Sequence, residues 1–251
     1  QDQRFLDLCD RMGFLVWEES LGWGNTKEQM ADPEFIALQE KQTRLMVRNS
    51  VNHPSVIIWA FLNEFESGTQ EGQTLCRKLV AAIRKEDDSR LVTFACSHVW
   101  NDICTALTDI VAYNTYPGWI SADAAEEPPS YIRGNRDKII ERFRTYNPPD
   151  KPVMVSEMGC CGLYGSHDRA AAQWSEEFQA EYLAEVIRQV FASPDLCGLA
   201  IWQFNDAKSY LRKGSNIRCK PLAQNLAGVF DQYRRPKLAA ETVKKLFAEK
   251  K

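Results

Sequence analysis

Histidine is scarce in this chain: three residues, His53, His98 and His167, among 251. None stands at ligand spacing from another, and the eight cysteines contain no Cys-x-x-C, so no metal centre is expected. Those cysteines (Cys9, Cys76, Cys96, Cys104, Cys160, Cys161, Cys197, Cys219) are scattered, and several fall in apolar runs. They read as reduced, mostly buried thiols, which favours a reducing, cytoplasmic setting. No apolar run approaches the roughly 20 residues that span a bilayer. Positive charge is not in excess either: 31 Lys and Arg stand against 34 Asp and Glu, a formal net charge of -3. Neither a nucleic-acid partner nor an anionic membrane surface is therefore expected, because both require clustered positive potential. No lysine stands at a strand end where a Schiff-base enzyme would need one. Repeats and low-complexity stretches are absent as well, and no cofactor is implied.

What the chain does have is alternation. With 44% hydrophobic residues it can bury a sizeable core, and short apolar runs alternate with longer amphipathic ones, the pattern of βα units around a parallel sheet. Six strands are predicted: 14–18, 56–63, 91–97, 110–114, 153–156 and 199–204. Their near-continuous apolarity fits strands covered on both faces. Helices are predicted over 2–12, closed by Gly13, and over 33–48, 71–85, 135–144, 170–191 and 237–249. Asp32-Pro33 supplies an N-cap and first-turn pair.

The longest loops follow strands, at 21–32, 116–133, 160–168 and 206–228, which is where a (β/α)8 barrel builds its active face. A complete barrel has eight strands, and six are found. Because the chain opens on a helix that feeds a strand, the expected fold is an α/β, TIM-type barrel lacking its first two strands. Residues 1–251 would form one catalytic-barrel fragment. Its uncovered edge strands would favour a homo-oligomer.

Two acids stand out by position. Glu64 ends the run Val-Ile-Ile-Trp-Ala-Phe-Leu-Asn-Glu (56–64), and Glu157 lies in Pro-Val-Met-Val-Ser-Glu-Met-Gly (152–159). A carboxylate at the exit of a buried strand can be partly desolvated and still face a substrate. Two such groups supply the acid and the base or nucleophile that glycoside cleavage needs. In isolation Asn63-Glu64 reads as a helix cap with an exposed first-turn acid, and Glu157 as a surface acid before a glycine turn. Glu18, Glu19 and Asp206 also end strands, so position alone does not single out the pair. The surrounding residues sharpen it. His98, Asn114, Tyr116, Trp119, Trp202 and Asn205 cluster near strand ends, where aromatic faces stack on sugar C–H surfaces and polar side chains bond hydroxyls. Core packing is the competing role for each aromatic.

At these residues the chain resembles glycoside hydrolase family 2, the family of β-galactosidases and β-glucuronidases. The resembling stretches are 5–19, 48–64, 113–119, 155–159, 174–179 and 201–206, with the Asn-His-Pro-Ser to Asn-Glu block (52–64) the most specific. The resemblance implies a retaining exo-β-glycoside hydrolase that works by double displacement through a covalent glycosyl-enzyme. Glu64 would be the acid/base and Glu157 the nucleophile, with Asn63 on the sugar 2-hydroxyl, Tyr116 beside the nucleophile and Trp202 lining the sugar subsite.

Family members carry β-sandwich domains before the barrel and two further barrel strands. On this reading the chain would lack both, which would also leave any export signal unreadable. Trp-Ser-Glu-Glu-Phe-Gln (174–179) and Gly-Val-Phe-Asp-Gln-Tyr-Arg-Arg-Pro-Lys (228–237) bring the chain nearest to β-glucuronidases. That group usually binds the sugar carboxylate with Asn-x-Lys. Here the stretch is Asn225-Leu226-Ala227, so Arg218 or Lys220 would have to replace the charge, or the sugar would be neutral, as galactose is. The competing reading is a catalytically incompetent carbohydrate-binding or scaffold fragment.

Overall fold

Asp2 opens the first helix by accepting a hydrogen bond from Arg4 N, and Gly13, in the left-handed region at φ 75°, closes it (α1, Gln3–Met12). The computed structural model describes residues 1–97, 101–116, 151–209 and 223–249, and the chain divides into two compact units. The first comprises residues 1–114 and 146–154, the second 115–145 and 155–251.

In the first unit, α1 is followed by β1 (Val16–Glu19), α2 (Lys27–Ala31), α3 (Pro33–Ser50), β2 (Val56–Asn63), α4 (Gln70–Glu86), β3 (Leu91–Cys96), a single 3-10 turn at Thr105–Leu107 and β4 (Val111–Asn114). The four strands pair in parallel and in chain order, with Trp17 opposite Ile58, Trp59 opposite Val92 and Ala95 opposite Ala112. The next strand, β5 (Val153–Met158), begins in this unit, where Val111 N donates to Pro152 O. Buried apolar side chains from β2, β3 and α4 form the core: Trp59, Phe61, Phe94, Leu75, Leu79 and Ile83, joined by Phe65 just beyond β2. Phe94 stacks at a tilt on both Phe61 and Phe65, with ring centroids 5.8 and 4.8 Å away.

One polar knot lies beneath that core. The indole of the fully buried Trp59 donates to Asp87 Oδ2 at 2.7 Å, and Arg90 donates to the same oxygen at 2.7 Å. Arg90 also donates to the carbonyls of Val56 and Val51, tying the loop before β2 to the start of β3. Burial alone would raise the Asp87 carboxyl. The Ser89 hydroxyl and amide, the Trp59 indole and the Arg90 guanidinium outweigh it and hold the group well below the usual carboxylate range.

The second unit contains the rest of β5, then α5 (Glu176–Ala192), β6 (Leu196–Ile201), a two-residue antiparallel pair β7 (Ala207–Lys208) and β8 (Gln224–Asn225), and α6 (Leu238–Glu249). Its loops converge on two buried donors. Lys237 Nζ donates to Gly162 O (2.6 Å), Asp206 Oδ1 (2.8 Å) and Leu226 O (3.0 Å), while Gln179 Nε2 donates to Cys160 O and Gly228 O. A buried ammonium is tolerable only when its three protons are so matched.

The expected βα alternation is present, several boundaries shift, and one short helix was not expected. The last strand runs over Leu196–Ile201 rather than 199–204. Gln203 and Phe204 leave the sheet because their backbone groups bond the segment at 227–230 instead. The long helix starts at Glu176 rather than Ala170, since Ser175 caps it and Ala171 and Trp174 adopt φ of 52° and 74°. The short α2 went unpredicted although Thr26 and Gln29 form a capping box. The helix expected at 135–144 lies outside the described residues. Of the described cysteines, six are buried, Cys197 is exposed and all are free thiols. Among the described residues no helix is long and apolar enough to cross a membrane.

The Asp87 contribution should be complete at neutral pH. A depressed carboxyl loses its stabilising effect as pH falls below the unfolded value of about 4. Asp87→Asn is expected to lower the unfolding free energy by about 1–3 kcal/mol at pH 7. Urea midpoints measured from pH 7 downwards should show the gap between variant and wild type closing below about pH 4; a gap that stays constant would refute the assignment.

Candidate active site

The exit of β2 is shaped by two residues in an uncommon conformation. Leu62 and Glu64 have φ of 46° and 54°, both left-handed, and the register between β2 and β3 slips between Ala60 and Asn63. Left-handed backbone costs roughly 1–2 kcal/mol for a residue other than glycine, so it persists only where neighbours fix it. Three backbone bonds do so: Asn63 N to Gly22 O (2.7 Å), Gly24 N to Asn63 O (2.8 Å) and Glu64 N to Ala95 O (3.0 Å). The loop after β1 therefore grips the end of β2 on one side, and β3 grips it on the other.

That turn delivers Glu64 to two donors. Asn114 Nδ2 at the end of β4 donates to Glu64 Oε1 at 3.0 Å and to Asn63 Oδ1 at 3.0 Å. Trp23 Nε1 donates to Glu64 Oε2 at 3.0 Å. Asn114 is buried, Asn63 and Glu64 are half-buried, and the Trp23 ring is 57% exposed. The sequence pointed to Asn63, Glu64 and Asn114, and these three meet. Trp23 was missed; its signal is the Gly-Trp-Gly in the loop after β1, separated from the strand by Ser20 and Leu21. Gly22 has φ 151°, and a Cβ there would stand 2.3 Å from Leu62 Cδ2, so only glycine lets the two segments approach.

In the second unit Thr115 N donates to Glu157 O at 2.8 Å, and the Tyr116 hydroxyl donates to Glu157 Oε2. The Tyr116 ring packs on the buried cluster of Cys161, Leu226 and Ala227 together with Leu163 and Trp174. Trp202 follows β6, its N donating to Met158 O and its side chain 37% exposed. Asn205 and Asn225 are turned to their own loops: Asn205 Nδ2 donates to Asp206 O, and Asn225 Oδ1 accepts from Ala227 N. His98, Trp119 and Arg218 lie outside the described residues.

One group of possible metal ligands occurs among the described residues, Asp7, Asp10 and His53. Two of its members, His53 and Asp10, already bond protein groups. His53 Nδ1 lies 2.7 Å from Asp10 Oδ2 and Nε2 lies 3.0 Å from Gln3 Oε1, while Asp10 Oδ1 accepts from Ser55 N. The cluster fastens α1 to the turn before β2.

The profile described as "Glycosyl hydrolases family 2, TIM barrel domain" matches residues 1–251. A crystal structure of a family 2 β-galacturonidase from Eisenbergiella tayi bound to galacturonate is 34% identical, with a TM-score of 0.85 over 99% of this chain and 43% of that one. The β-glucuronidase of Sus scrofa is 28% identical over 241 residues, 95% of this chain and 35% of that enzyme. That of Streptococcus agalactiae is 27% identical over 261 residues, 97% of this chain and 42% of the enzyme. The chain thus spans about a third to two fifths of the length of these curated relatives.

Gly22→Ala should show how closely the two segments must approach. The added methyl is expected to cost about 1–3 kcal/mol in unfolding free energy and to loosen the Trp23 indole, read as increased quenching of its fluorescence by acrylamide. Unchanged stability and unchanged quenching would mean that the loop adjusts freely.

Proposed function

The chain belongs to glycosyl hydrolase family 2 and has its TIM-barrel fold, and from that premise we propose that it carries the catalytic carboxylates of a retaining exo-β-glycosidase whose substrate is a β-linked hexuronide. The observation that carries this reading is the placement of the two glutamates. Each stands at or next to the C-terminal end of a strand, and each is held by side-chain donors, Glu64 by Asn114 and Trp23, Glu157 by Tyr116. A barrel places its chemistry at those strand ends.

In this mechanism Glu157 attacks the anomeric carbon while Glu64 gives its proton to the glycosidic oxygen. The C–O bond breaks, the aglycone departs as an alcohol, and the sugar is left as an ester on Glu157. Glu64, now ionised, takes a proton from a water that attacks the same carbon. The sugar leaves with its β-configuration retained, and both carboxyl groups return to their starting states. Tyr116 orients the attacking carboxylate, and Asn63, fixed by Asn114, is the candidate partner of the sugar 2-hydroxyl. Trp202 supplies an exposed aromatic face for the ring.

The uronide assignment rests on the relatives. The E. tayi enzyme holds galacturonate, and the curated relatives cited are β-glucuronidases. Ala227 is buried and brings no cation to the sugar carboxylate. The compensating charge therefore comes from elsewhere, with Arg218 and Lys220 the candidates, both outside the described residues.

The test uses the intact protein and a panel of 4-nitrophenyl β-D-galacturonide, β-glucuronide, β-galactoside and β-glucoside. At least one uronide should turn over with a kcat/KM at least tenfold above the neutral sugars, and the first-formed product should be the β-anomer by proton NMR. Glu157→Ala should remove more than about 10^3-fold of kcat and Glu64→Ala about 10^2- to 10^4-fold of turnover with poor leaving groups. Exclusive activity on neutral glycosides would overturn the substrate class. No activity on any of them would favour the incompetent carbohydrate-binding reading, and an α-anomer first product would overturn the retaining mechanism.

A further inference from the structure

Both carboxylate oxygens of Glu64 accept hydrogen bonds, and the two donors differ in kind. On Oε1 the donor is the buried Asn114, a residue that also holds Asn63. On Oε2 it is the indole of Trp23, a ring that stands 57% exposed. Trp23 is held there from its backbone. It lies opposite Asn63 as an isolated parallel bridge, with Gly22 O accepting from Asn63 N and Gly24 N donating to Asn63 O. The loop is fastened again at Asn25 and Lys27, where Glu66 N donates to Asn25 O (3.0 Å) and Glu66 Oε2 accepts from Lys27 N (2.8 Å). The indole is thereby fixed one residue away from the chain position whose carboxylate it touches. Backbone pairing on both sides of Trp23 thus sets where the ring starts.

The chemistry of the two donors gives the arrangement its consequence. An indole N–H and an amide NH2 can donate but cannot accept. Neither can receive the acidic proton of Glu64, and each blocks one approach to its oxygen. A proton on this carboxyl is left to point away from both donors. Fixing the carboxyl plane also removes the rotational freedom that a half-exposed glutamate would otherwise have, and a misplacement of about 1 Å can cost on the order of 100-fold in rate.

We propose that Trp23 is a positioning residue for the acid/base step, holding Glu64 through Oε2 so that its proton is delivered to the leaving-group oxygen. This rests on the reading of Glu64 as the acid/base given above. Trp23 itself transfers no proton and is not a catalytic residue.

The readout is the dependence on leaving group. A 2,4-dinitrophenolate departs without protonation, whereas phenolate departs slowly unless the acid assists. In the intact protein, with the uronide preferred in the panel, kcat/KM reports the first bond-breaking step. Trp23→Phe keeps a ring and removes the N–H. It is expected to lower kcat/KM for the phenyl glycoside by about 10- to 100-fold, the worth of one hydrogen bond to a charged group, and to change that for the dinitrophenyl glycoside less than about twofold. The dinitrophenyl rate doubles as the check that the variant is folded and that its nucleophile works.

Equal losses on both substrates would mean a general structural role and would overturn the proposal, as would no loss on either. Glu64→Ala is the control that separates the two levels. If it shows the leaving-group signature and Trp23→Phe does not, Trp23 alone is wrongly assigned. If Glu64→Ala lacks the signature, the acid/base reading and the Trp23 proposal fall together.

Discussion

The left-handed turn that ends β2 is the constraint on which the first unit depends. A strand of apolar residues could simply run on into a loop, and Glu64 would then swing with it. Instead Leu62 and Glu64 are forced to positive φ, and Gly22, Gly24 and Ala95 hold them there through backbone bonds. Each such bond contributes about 1 kcal/mol, enough in sum to offset the strain of two left-handed residues. The arrangement is cooperative. The same contacts that stabilise the turn bring the loop after β1 against Asn63, and with it the Trp23 indole against the Glu64 carboxylate.

This turn also explains how far the sequence could be read. Glu64 was legible because an unbroken apolar run leads into it, and Asn114 because it ends a run of the same kind. Trp23 was not. Its closeness to Glu64 comes from a glycine at φ 151° packed on Leu62, a through-space approach between residues 41 apart that no periodicity encodes. The displaced last strand teaches the same lesson in the second unit. Residues 199–204 have the composition of a strand, yet Gln203 and Phe204 find their backbone partners at 227–230, and backbone pairing decides where a strand ends. Short-range signals did better: the Asp32 cap, Pro33 and the left-handed Gly13 all stand where the helix rules put them.

In the second unit, buried polar side chains take the part that backbone pairing plays in the first. Lys237 is fully buried and Asp206 nearly so. Burial pushes the Asp206 carboxyl up, against the pull of Lys237 and the Gly228 amide. An isolated ion pair there would barely repay its desolvation. What makes it tenable is that the remaining lysine protons go to the carbonyls of Gly162 and Leu226. Those carbonyls belong to the loops that carry Cys161 and Ala227, on which the Tyr116 ring packs. A cation that might have served a ligand is thus enclosed as a structural tie, and Ala227 beside it is sealed from solvent as well.

The two carboxylates are held by donors suited to different duties. Under the proposed mechanism Glu157 never carries a proton; it alternates between carboxylate and ester. A tyrosine hydroxyl serves both states, since it can donate to a carboxylate oxygen and then to the weaker carbonyl oxygen of the ester, or turn and accept from water. Glu64 must alternately carry a proton and lack one. The two groups seen on it, the Asn114 NH2 and the Trp23 indole N–H, donate to the carboxyl and cannot themselves accept its proton. The Tyr116 hydroxyl on one glutamate, and the Asn114 amide with the Trp23 indole on the other, thus suit the duties that the proposed mechanism gives to each carboxylate.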